Sequence, residues 1–563
     1  MRLVVSLGIL VVAVGAFVYS ISGDHAARKK PTVEKAEAKP AASPSPVLLE
    51  GIGDYRMRVT ALNDDARKWF DQGVNLAFAF NHAAAVQSFL EAARMDDRCA
   101  MCWWGAAWAL GPHINAGMAP SDYPVALDYL EKAVAASVHV SEREQALIGA
   151  LRKRYQREVP ISREPLDQQY ADAMRDVRRQ FPDDVEVKVL LAESLMILHP
   201  WDYHDERHRP RPWTAEIVDL LASVLDANDA HPAAHHFLIH LLEHSDTPER
   251  ALPSAIKLAG MAPAAGHLQH VPAHIYARLG RHHEAMLAHQ AAVEADARYR
   301  SIWPLDTGLY GWAYTAHHLH SLYASSLIIG QSNKAIEAAD RLAGTLDLGR
   351  ARQPGYEAIQ HLWVSPYFAR VAFARWSDIL ELPPPPADLA YPTAIWHYAR
   401  GLSLVYSGDL GRAREELESL KTISAHPQLE ALHFWGQAPF STLALIADFS
   451  LAAQLESAEG RHREALMLIG KAAELEASLP YEMPALWLNS TRVVQARLFL
   501  AAGNRWQSIQ IAQQALEERP NDGRLLWVLY QAQKALGRPF EATQKRFDLA
   551  WQFADAQLPE FKP

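Results

Sequence analysis

A chain of 563 residues is too long for one ordinary hydrophobic core, so it must form several domains or a repeat that grows without a single core. Its 49% hydrophobic content supplies enough apolar surface for either. The net charge of -10, without a long basic run, excludes nucleic acid as the main partner, because phosphate binding needs clustered Lys and Arg.

The N-terminus differs in kind from the rest. Leu3 to Ile21 is an almost unbroken apolar run without charge, preceded by Arg2. Its length lies between a signal-peptide core and a spanning helix of roughly 20 residues. Ser20-Ile21-Ser22 is a poor cleavage site, and no cysteine follows that could carry a lipid. Residues 1–22 are therefore read as a signal peptide or membrane anchor. Residues 23–48, dominated by Lys, Ala, Pro and Ser, are read as a flexible linker.

From residue 49 onward the apolar residues keep helical periodicity, and short Pro, Gly, Asn and Asp punctuation separates the helices. Gly73, Leu76, Ala85, Phe89 and Ala92 fall at the spacing of a tetratricopeptide unit, a pair of helices of about 34 residues. Small residues there let two helices approach, and the larger ones fill the gap. The frame recurs at Gly280 with Ala285, Gly330 with Ala335, Gly408 with Ala413, then at Ala465, at Ser508 with Ala515, and at Gly537 with Ala542. Insertions interrupt it near 296–312 and 345–390. The run Pro383-Pro384-Pro385-Pro386 separates an expected N-terminal array, 49–382, from a C-terminal one, 387–563. The fold class is all-α, an α-solenoid of tetratricopeptide-like helix-turn-helix repeats.

Fourteen of the 26 histidines lie between His231 and His320, so the chemistry of the chain is concentrated there. His236 and His270 are 34 residues apart, as are His240 and His274, and thus hold the same places in consecutive units. Counted back from Ala335, His320 takes the place of His236 and His270, and His317 that of His267. Spacings of three, four and seven put them on one face of each first helix, the face that lines the concave side of a tetratricopeptide solenoid. Neutral imidazoles converging on one surface suit a divalent transition metal such as Zn, Cu or Fe. The expected ligands are His236, His240, His267, His270, His274, His317 and His320. Seven exceed the usual four, so either several ions are bound or some imidazoles serve as acid, base or substrate contacts. Glu243, one turn beyond His240, is a candidate ligand, general base or partner that orients a histidine. If the chain is an enzyme, metal-assisted hydrolysis or metal-dependent oxidation fits. The competing reading is a scaffold whose groove clamps a partner protein or peptide without metal. His282, His283 and His289 are expected at the surface.

Cys99-Ala-Met-Cys102 lacks the following His of a haem-attachment site and is read as a short disulfide or two structural thiols, with a soft-metal site as the alternative. His113 and Asn115 follow the helix ending near Trp108. Trp201, Trp303 and Trp312 lie in insertions and could wall a pocket. No Gly-rich phosphate loop and no Gly-x-Ser-x-Gly elbow occurs.

Phe80-Asn81-His82, Cys99 to Gly105, Gly111-Pro112 with Ile114-Asn115, His231 to His240, Gly266 to Tyr276, Arg375-Trp376 and Tyr481 to Trp487 together resemble a largely uncharacterised group of bacterial, exported tetratricopeptide-repeat proteins. The resemblance spans most of residues 60–540. It implies the fold and an exported setting, periplasmic or membrane-anchored facing the periplasm, with membrane contact only through the N-terminal segment. The chain departs from the family pattern at His113, His235, His318 and Met483, so none of these three histidines enters the expected site.

Overall fold

The repeat frame becomes structure at the helix ends. In the computed structural model, which describes residues 46–60, 63–303 and 309–558, the first helix of six units stops at a residue with positive φ. The next backbone N–H then reaches back five residues, as in Asn81 to Leu76 (2.9 Å), Arg281 to Tyr276 (2.8 Å), Gln331 to Ser326 (2.9 Å), Asp409 to Leu404 (2.9 Å), Arg461 to Glu456 (2.9 Å) and Asn504 to Phe499 (2.8 Å). This bond closes a left-handed helix C-terminus and turns the chain into the second helix. Gly280 and Gly330 occupy the left-handed position without strain. In the first unit that position is Phe80 (φ 57°), a bulky residue held where glycine is expected.

Packing follows the small residues. Asp64–Phe78, His82–Met95 and Ala100–Ala109 meet around Phe89, with Gly73 on one side and Gly105 on the other. A Cβ at Gly73 would lie 2.7 Å from the Phe89 ring, and one at Gly105 2.6 Å from it. The second-helix residues Ala85, Ala285, Ala335, Ala413, Ala465 and Ser508 are all buried, as their register requires. Ala542 is exposed, and Thr543 is buried in its place. Pro539 delays the last helix, which starts only at Glu541, four residues after Gly537 rather than two. Among the described residues the only strands are the two-residue pair His433–Phe434 and Ala438–Pro439. The fold is the expected all-α, tetratricopeptide-like helical array.

The described residues pack as one unit. The four-proline stretch lies between the helices Trp376–Glu381 and Ala390–Ser407, and Ile379 and Tyr391 on its two sides share one apolar cluster. Late parts of the chain return to its middle. His282 Nε2 donates to the Pro520 carbonyl (2.8 Å), Asp555 and Ala556 donate to the Gly330 carbonyl (3.1 Å each), and Phe553 stacks on His283 (3.8 Å between ring centres). His282, expected at the surface, is buried by this return. Cys99 and Cys102 are joined as a disulfide at the start of the Ala100–Ala109 helix. The apolar run Leu3 to Ile21 and the linker up to residue 45 lie outside the described residues. Among the described residues no helix is long and apolar enough to cross a membrane.

Candidate metal centre

Three stretches of the chain carry the imidazoles. His231 accepts from the Ala234 N–H (3.4 Å) and, with Pro232 following, starts the helix Pro232–Leu242. Every residue of that helix is buried. Its His235 turns away, using both ring nitrogens on Ser254 Oγ (2.9 Å) and the Asp229 carbonyl (2.8 Å). His236 and His240, one turn apart, face the opposite way with ring centres 4.9 Å apart. The first helix of the next unit is broken at Val271-Pro272 into Gly266–His270 and Pro272–Arg278. It supplies His267, His270 and His274. Thr315–Ile328, entered through a π-helical turn at Tyr310–Tyr314, supplies His317 and His318.

The ligand atoms gather in three overlapping threes, one of them made by His240, Glu243 and His274. Nitrogens of His236, His240 and His267 all lie within 4.8 Å of one another, and so do those of His270, His274 and His317. His236 Nε2 is 3.1 Å from His267 Nε2. His270 Nε2 is 2.8 Å from His274 Nε2 and 3.1 Å from His317 Nε2.

The outer nitrogens decide which way these rings are protonated. His236 Nδ1 faces the Phe78 carbonyl (2.8 Å), His240 Nδ1 faces Glu243 Oε1 (3.0 Å), and His274 Nδ1 contacts Glu243 Oε2. His318 Nδ1 faces Asp296 Oδ2 (2.6 Å), whose other oxygen accepts from Tyr310 O–H (2.9 Å). Carbonyl and carboxylate oxygens only accept, so Nδ1 of His236 and of His240 carries the proton, and the neutral ring presents Nε2 as a lone pair. The Nε2 atoms of His240 and His318 are buried with no hydrogen-bond partner. A buried acceptor left unpaired costs about 1–3 kcal/mol, so the His240 lone pair is oriented at a cost.

The field around them fits neutral donors. Burial, reinforced by neighbouring histidines, holds His236, His267, His270 and His317 well below the ordinary histidine value. Burial also lowers His240, against the pull of Glu243. Glu243 is itself fully buried, yet His274 and His240 outweigh its burial and hold it below the usual carboxylate range. Close by, burial and the charge of Glu243 push Glu482 up to about 8, so it is a neutral acid at pH 7. Its neighbour Tyr481 stacks on His244 with ring centres 4.2 Å apart and holds its hydroxyl 3.5 Å from Glu243 Oε2.

Of the seven expected ligands, six converge. His320 does not join them: its ring contacts are with Tyr323 and His361, the latter 6.2 Å away between centres. His289, expected at the surface, is buried, and its Nδ1 lies 3.0 Å from His270 Nδ1. His318, left out on the family pattern, is at the site with its ring centre 4.9 Å from that of His270. Glu243 sets one oxygen against each of two histidines, as an orienting partner would, and with the same two it forms a group whose ligand atoms lie within 4.8 Å. Phe80 was read from the sequence only as part of a motif. Its ring stacks on His113 (4.7 Å) and His267 (5.1 Å) and packs against His236 (4.5 Å). Asn115 donates to the Tyr314 hydroxyl (3.0 Å), and Tyr314 packs edge-on against His267. Trp201 packs edge-on against His240 (5.4 Å), whereas Trp303 meets Tyr299 and Trp312 meets Tyr356 and Trp435. No sequence signal places Phe80 or Asp296 here: Phe80 reaches the cluster from the first unit, and Asp296 from the long helix His282–Ile302.

Some solved structures are similar to this chain at low identity. A human IFIT1 dimer with m7Gppp-AAAA is 12% identical over 88% of this chain and 91% of that one, with a TM-score of 0.31. Yeast Tom70 is 12% identical over 86% and 91%, with a TM-score of 0.25. The P58(IPK) TPR domain is 13% identical over 84% and 98%, with a TM-score of 0.20. No protein-family model matches the chain, and no curated protein matches it.

Proposed function

We propose that this chain is an exported metalloprotein in which a tetratricopeptide-like scaffold holds divalent transition metal, of the Zn, Cu or Fe class, on buried imidazoles, and that it works as a metal-dependent hydrolase or oxidase. The observation that carries the reading is the convergence of buried Nε2 atoms, with an oxygen on the outer nitrogen of His236, His240 and His274. A histidine that donates Nδ1–H to a carboxylate or carbonyl while its other nitrogen faces a metal is the recurrent form of a metal-bound imidazole. Neutral imidazole sets suit Zn, Cu, Fe and Ni. A bound ion would act as Lewis acid or redox centre, and Glu243 would fix the two rings it touches. Tyr314 and Asn115 stand beside His267 as polar groups a substrate would meet. The Cys99–Cys102 disulfide supports an oxidising compartment, as does the apolar N-terminal run.

The test is elemental analysis of the full chain beside a His240→Ala/His274→Ala variant. The expected result is stoichiometric transition metal in the first and its loss in the second. No metal in either, even after soaking, would overturn the reading in favour of a groove that clamps a protein or peptide.

A further inference from the structure

We infer that the cluster is built for two metal ions, each held by three imidazoles: one by His236, His240 and His267, the other by His270, His274 and His317. The inference rests on the metal-centre reading above and goes beyond it in number and partition. Six nitrogens exceed the about four ligands that one Zn-type ion takes. Two all-imidazole sets of three each have ligand atoms within 4.8 Å; a third group, His240, Glu243 and His274, takes one ring from each set around the shared carboxylate. Within the second set, ring centres of His274 and His317 stand 4.6 Å from that of His270. In the first set His236 stands 4.9 Å from His240 and from His267, which are 5.7 Å apart, and between the sets His240 to His274 is 5.3 Å and His267 to His270 is 5.8 Å, so the partition rests on the ligand atoms and not on the ring centres.

Each set has its own support. The Phe78 carbonyl braces His236, and Phe80 stacks under His267. His289 backs His270 on its outer nitrogen. Glu243 is the shared element: its two oxygens serve His240 of one set and His274 of the other. Both oxygens are thereby engaged on the outer sides of the rings, so the carboxylate joins the two sets without entering either. Three imidazoles leave each ion at least one open position, the condition for binding a small shared ligand or substrate atom between them.

The test titrates the metal-stripped full chain with Zn(II), reading bound metal by competition with a chromophoric chelator. The wild type is expected to bind two equivalents. His236→Ala/His267→Ala and His270→Ala/His317→Ala, each checked for helical content by circular dichroism, are expected to keep one equivalent each. A second measurement needs no variant. With two equivalents of Cu(II), close ions couple, so the integrated electron paramagnetic resonance signal should fall well short of the copper content. One equivalent in the wild type, lost entirely from both double variants, would overturn the two-ion inference while leaving the metal centre standing. No bound metal at all would overturn both.

Discussion

Replacing Glu243 by Gln isolates the orientation of the imidazoles from their presence. The carboxylate is fully buried, below the usual carboxylate range, and accepts from His240 Nδ1 (3.0 Å) and His274 Nδ1. The amide retains one oxygen and presents an NH2 to the other ring. Two donors then face each other, and that histidine must move its proton to Nε2. One inward lone pair is lost. Loss of such an orienting partner lowers metal affinity about 10- to 100-fold, which converts to about 1.4–2.7 kcal/mol of binding free energy. The metal-free protein should also lose about 1–3 kcal/mol, because a buried group is left imperfectly paired. The assay is Zn(II) competition on the full chain, with chemical denaturation alongside. Two ions bound with unchanged affinity would refute the reasoning, since the rings would then be held without Glu243.

Other outcomes follow from the same structure. His320→Gln should leave Zn(II) affinity unchanged in the competition assay, because His320 neighbours His361 rather than the six, whereas His270→Ala should weaken it. The metal-free chain should unfold readily in mild acid. Burial holds His82 and His320 at about 4 and His361 at about 3, so in the folded state they stay neutral while the unfolded chain takes up protons near the ordinary histidine value. Stability from these groups is therefore complete above the unfolded value and is lost as pH falls from about 6.5 toward about 4, at up to about 1.4 kcal/mol per pH unit for each. Urea melts across that range measure the slope, and a flat profile would contradict it. Gly105→Ala drives a Cβ into the Phe89 ring, where overpacking costs about 1–3 kcal/mol, less about 1 kcal/mol regained in helix propensity. A lowered thermal midpoint checks this.

The helix-pair register was legible because it depends on a few positions whose size is dictated by close approach. Gly73, Phe89 and Gly105 are such a set, and spacing alone finds them. The 34-residue repeat of His236 with His270 and of His240 with His274 was legible for the same reason: equivalent places in neighbouring units face the same way. What spacing does not carry is how one unit docks on the next. The helix His282–Ile302 runs to 21 residues and a π-turn follows before the third unit begins. There His317 meets His270, but His320, at the place equivalent to His270 by count, meets His361 of the unit beyond. His318, one residue away from the expected face, enters the site through Asp296 on that long helix. Phe80 is hidden differently, since its ring reaches the imidazoles only because the residue adopts a left-handed backbone that its type disfavours. Ala542 shows the limit at the end of the array, where Pro539 shifts the helix start and the frame slips by one residue.

The most direct test of the central claim is X-ray absorption at the metal edge of the Zn-loaded full chain. The account predicts a coordination sphere dominated by imidazole nitrogens at about 2.0–2.1 Å, with no sulfur. A spectrum of oxygen-only or sulfur ligands, or of hydrated ion at the surface, would contradict it.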